Sequence, residues 1–63
     1  MILVELQLNT RKNAVWYFED GILIESMCFE FATIENAKTY ILGLLENLAE
    51  DPEVFTQVKP AIN

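Results

Sequence analysis

The first eight residues alternate. Ile2, Val4, Leu6 and Leu8 share one face of an extended segment, and Leu3, Glu5 and Gln7 share the other. Period-two alternation of this kind predicts a half-buried β-strand. Asn9-Thr10-Arg11-Lys12-Asn13 is polar and turn-prone. Ala14 to Glu19 is dense in aromatic residues and Val, which favour strands. Asp20-Gly21 then gives a strong hairpin signal, because both residues tolerate the positive φ of a type I′ turn. Ile22 to Phe31 reads as a third strand, completing an antiparallel meander.

That third strand breaks parity. Ile22 and Ile24 fall on one face, yet Glu25 and Glu30 cannot both oppose them in strict period two. One extra residue near Glu25-Ser26-Met27 restores the pattern and places Met27, Phe29 and Phe31 on the core side, so a β-bulge is expected there.

Residues 33–50 switch to helical spacing. Ile34, Ala37, Ile41, Leu44, Leu45 and Leu48 form one apolar stripe. Thr33 is the expected N-cap, and Glu35 in the first turn complements the helix dipole. Gly43 interrupts the helix. It either lets the helix approach a neighbour closely or is simply tolerated. Pro52 ends the helix, since the residue before proline avoids the α region. Asp51 is expected to cap a short helical turn running to about Gln57, and residues 59–63 to form a tail outside a single domain of residues 1–58.

Together these elements predict an α+β fold, a three-stranded antiparallel β-meander packed on one long α-helix, with a short C-terminal helical turn. Trp16 and Phe18 are expected to point to the helix. The opposite sheet face would then carry Leu3, Glu5, Gln7, Val15, Tyr17 and Glu19. A half-apolar face of that kind predicts a protein contact.

Composition narrows the function. A chain of 63 residues with net charge −6 repels phosphate, which argues against direct nucleic-acid binding. Its exposed area when folded should be about 4,200 Å², leaving a core so small that a monomer is marginal and association is a natural source of further stability. Histidine is absent, which removes the commonest general base and metal ligand. Cys28 and Ser26 therefore have no imidazole to activate them. With two glycines the chain cannot build a phosphate-binding loop. Neither an enzymatic role nor a metal or other cofactor is expected. A lone Cys, and an N-terminus that turns acidic at Glu5 without a long apolar run, predict a cytoplasmic protein with no membrane association.

The expected function is a small acidic protein-interaction module, a homodimer or the partner of a basic protein. Leu3, Glu5, Val15, Tyr17, Glu19, Asp20 and Glu25 are the candidate interface residues. The alternative is an acidic inhibitor that imitates nucleic acid and targets a nucleic-acid-handling enzyme, with Glu5, Glu19, Asp20 and Glu25 spaced like phosphates along one face.

Overall fold

The computed structural model describes residues 1–62, with side chains placed as far as Lys59. Its fold is α+β, a mixed sheet of five strands packed against one helix. The strands are β1 (Ile2–Asn9), β2 (Ala14–Glu19), β3 (Ile22–Leu23), β4 (Phe29–Glu30) and β5 (Val54–Ile62), and the helix α1 is Ile34–Ala49. The sheet order is β3-β2-β1-β5, with β4 also paired to β2.

The β1–β2 hairpin is antiparallel and closes at Asn9 opposite Ala14. Asn9 Oδ1 accepts hydrogen bonds from the N–H groups of Arg11 and Lys12, at 3.0 and 3.2 Å. Asn13 turns the chain back at φ +50°. Asp20 (φ +50°) and Gly21 (φ +83°) link β2 to β3 in a two-residue turn with both central φ angles positive, as the type I′ reading requires.

The loop between Asn9 and Ala14 decides which residues face the helix. With Asn9 opposite Ala14, even-numbered residues of β1 pair with odd-numbered residues of β2: Leu6 with Tyr17, and Leu8 with Val15. Val15 (0% exposed) and Tyr17 (7%) are therefore core residues beside Val4, Leu6, Ala37 and Ile41. Trp16 and Phe18 lie on the other face, opposite Gln7 and Glu5. This inverts the expected facing of β2. A one-residue change of register flips every side chain of a strand, and the size of Trp16 and Phe18 does not override the parity set by the loop.

The third strand is interrupted where parity failed, but by more than a single-residue bulge. A 3₁₀ turn at Glu25–Met27 separates β3 from β4. Phe18 faces Leu23 while Val15 faces Phe29, so three steps along β2 correspond to six along the broken strand. Cys28 repairs the gap: its Sγ accepts from Tyr17 N–H at 3.3 Å and donates to Ile24 O at 3.3 Å. Met27, Cys28 and Phe31 pack against the core. Tyr40 of α1 donates to Met27 O at 3.0 Å and stacks edge-on to Phe29.

The helix begins as expected, with Thr33 Oγ1 accepting from Asn36 N–H at 3.1 Å. Gly43 is exposed, and a Cβ there would meet nothing within 4 Å, so it serves no close approach within the chain.

The segment after Pro52 is a strand rather than a helical turn and tail. β5 runs parallel to β1, pairing Ile2 with Val54 and Gln7 with Lys59, and its ladder extends past the expected domain end at residue 58 to Ile62. Parallel neighbours need a long crossover, which α1 supplies. Val54-Phe55-Thr56-Gln57-Val58 alternates and is rich in β-branched residues, so pairing with β1 overrides the local cap-like reading of Asp51-Pro52. The register shifts between Lys59 and Ile62. Asn63 lies outside the described residues. The exposed area is 4324 Å², close to the value expected from mass alone.

Candidate interaction surface

Only one face of the sheet is covered by the helix. The other face is built from the residues that alternate away from the core. β1 contributes Leu3, Glu5 and Gln7, β2 contributes Trp16 and Phe18, β3 contributes Leu23, and β5 contributes Phe55, Gln57 and Lys59. No helix or strand among the described residues lies over this face. Leu23 and Phe55 are exposed, and Leu3, Trp16 and Phe18 are half-buried. Large aromatics on an open sheet face carry an apolar body and low conformational entropy, which suits them to contact another protein.

The expected interface residues are dispersed by the fold. Leu3 and Glu5 do lie on the open face. Val15 and Tyr17 are in the core beneath the helix. Glu19 is on the helix side of the sheet at the end of β2, opposite Val4. Asp20 sits in the hairpin turn, where its Oδ1 accepts from Leu3 N–H at 2.9 Å. Glu25 is exposed in the 3₁₀ turn. The four acids Glu5, Glu19, Asp20 and Glu25 thus share no single face. Glu5 is moreover paired with Lys59, Oε2 to Nζ at 3.0 Å. Trp16, Phe18, Leu23 and Phe55 take the places expected of Val15 and Tyr17. Counting the residues between Asn9 and Ala14 was the signal that could have found the first two.

Charge is separated along the strands. All four cationic residues lie towards one end: Arg11 and Lys12 in the β1–β2 loop, Lys59 opposite Gln7 near the finish of β5, and Lys38 in the second turn of α1. Glu19, Asp20, Glu50, Asp51 and Glu53 gather at the opposite end, where α1 stops and β5 starts. The last turn of α1 has no basic residue, so this acidity acts against the helix dipole rather than with it. Glu30 and Glu35 are the acids placed at the cationic end.

Between α1 and β5 runs an open groove of about 380 Å³, lined by Leu8, Ile41, Leu42 and Val58 and flanked by Lys38 and Lys59. Leu42 is 62% exposed and Val58 51%. Its lining is mostly apolar and includes no carboxylate, so the groove offers packing surface. No cluster of three or more His, Cys, Asp or Glu suited to a metal ion occurs among the described residues. Burial raises the phenol pKa of Tyr17, with a smaller contribution from the charge of Glu19. Burial likewise raises that of Tyr40, helped by Cys28 and Tyr17. Both phenols stay protonated at neutral pH. No helix of the described residues is long and apolar enough to cross a membrane.

No protein-family model, curated protein or solved structure matches this chain.

Proposed function

We propose that this chain is a small acidic, non-enzymatic protein-interaction module that works as a homodimer. The observation that carries the interaction-module reading is the uncovered sheet face, with Leu3, Trp16, Phe18, Leu23 and Phe55 on it, and a core whose fully buried members are few and small supports the dimer. Dimerisation adds buried area to a fold that is marginal alone, and it presents two such faces to a further protein. Thermal unfolding followed by circular dichroism over a hundredfold range of chain concentration tests this. A midpoint that rises with concentration is the expected result, because association stabilises the folded state by mass action. A midpoint that does not move over that range overturns the proposal.

A further inference from the structure

The two edges of the sheet are built differently. On one side the edge is β3 and β4, each two residues long and split by the 3₁₀ turn. Short, interrupted strands are a common way of preventing edge-to-edge pairing. On the other side the edge is β5, nine residues long and unbroken in its pairing with β1 from Val54 to Lys59. One edge is blunted and the other is left as a template.

The backbone of β5 shows which groups are free to pair. Ile2 N–H donates to Glu53 O at 2.8 Å. In a parallel ladder of this register the odd-numbered residues of β5 turn their N–H and C=O groups towards β1, and Val54, Thr56 and Val58 turn theirs outwards. Val54 N–H is held by Asp51 O at 3.2 Å. The outward donors are therefore Thr56 and Val58, and the outward acceptors are Val54, Thr56 and Val58.

We propose that two copies of this chain join through β5, antiparallel and centred on Thr56, to form one continuous sheet. This inference rests on the homodimer reading above and names its interface. In that register Thr56 pairs with Thr56 of the second copy, each donating to the other. Val58 N–H donates to Val54 O across the dyad. The side-chain pairs are Val54 with Val58 on the helix side and Phe55 with Gln57 on the open side. Glu53 stands opposite Lys59 on the open side, twice by symmetry. Lysine on an edge strand normally discourages pairing, but here it meets a carboxylate. Glu5 already holds Lys59 at 3.0 Å, so Lys59 would bridge Glu5 and the Glu53 of the second copy. The separation of charge along the strands supports the same orientation: an antiparallel pair sets the cationic end of one copy beside the acidic end of the other. A parallel arrangement would set like ends together. The dyad also brings the exposed Leu42 and Val58 of both copies to the same side of the joined sheet.

A disulfide trap tests the register. Thr56→Cys is made in a Cys28→Ser background, and Gln57→Cys in the same background is the control. In a hydrogen-bonded antiparallel pair the facing Cα atoms are about 5.5 Å apart, inside the range a disulfide spans. Residue 57 would lie about 8 Å from its own copy, outside that range. The expected result is a covalent dimer from the Thr56→Cys protein under mild oxidation, and little from the control. Equal cross-linking of both proteins, or none in either while sedimentation shows a dimer, overturns the edge interface and leaves the homodimer reading standing. A monomer by sedimentation overturns both. Thr56→Lys provides a second test that does not depend on oxidation. It places two cations opposite one another at the dyad and should raise the dimer dissociation constant at least fivefold, with the circular dichroism of the folded chain unchanged. An unaltered dissociation constant contradicts the proposal.

Discussion

Replacing Val15 by Thr tests the facing of β2 directly. The two side chains have nearly the same shape and both favour strands, so the change puts one hydroxyl in place of a methyl and does little else. Val15 is fully buried, and its cross-strand neighbours Leu8 and Phe29 are apolar. A hydroxyl there loses water and gains no obvious partner, at a cost of about 1–3 kcal/mol. At about 0.05–0.15 kcal/mol per residue, a chain of this length has roughly 3–9 kcal/mol of stability in total. Val15→Thr should therefore remove a large share of it. Urea unfolding is the assay, and with a slope near ~1 kcal/mol/M the midpoint should fall by about 1–3 M. Phe18→Thr is the matched comparison on the open face. At a chain concentration low enough to keep both proteins monomeric, it loses some apolar contact at a half-buried site but buries no hydroxyl, so it should cost less than Val15→Thr. The reverse order, with Phe18→Thr crippling and Val15→Thr neutral, would show that Trp16 and Phe18 face the helix and would refute the register.

Other predictions concern the helix and the phenols. Gly43→Ala should stabilise the fold by about 0.5–1 kcal/mol, because the site is exposed, helical and open around the added Cβ. A loss of stability on urea unfolding would show that the helix needs a bare backbone there. Stability should hold up to about pH 10 and decline above it. The folded-state pKa values of Tyr17 and Tyr40 are raised, so the folded chain keeps protons that the unfolded chain releases. Their contribution is complete below the unfolded pKa and is lost as pH rises through the folded values. Phenolate absorbance at 295 nm should rise together with loss of the circular dichroism signal. Ionisation of every tyrosine at the ordinary value, with the fold intact, would contradict this.

Much of this fold is legible from local pattern. The alternation of Ile2 to Leu8, the Asp20-Gly21 turn and the apolar stripe from Ile34 to Leu48 each report a choice made within a few residues, and each is present in the structure. Two features depend on pairing between distant segments and are not local. The facing of β2 follows from the number of residues between Asn9 and Ala14, which couples the parity of two strands, whereas aromatic size alone suggests the opposite. The nature of residues 54–62 follows from the vacancy beside β1, which α1 allows the chain to reach. Asp51-Pro52 looks like a helix cap when read alone. The same two features govern the interaction surface. A half-apolar face opposite the helix, with Leu3 and Glu5 on it, could be anticipated, but the presence there of Trp16 and Phe18 in place of Val15 and Tyr17, and the long β5 edge, could not.

The central claim is that this chain is a homodimer. Sedimentation equilibrium of the unmodified protein over a wide dilution range tests it most directly. The account predicts a mass that falls with dilution from twice 7.3 kDa towards 7.3 kDa, or stays at the doubled value if the dimer is tight. A mass of 7.3 kDa at every concentration would contradict it.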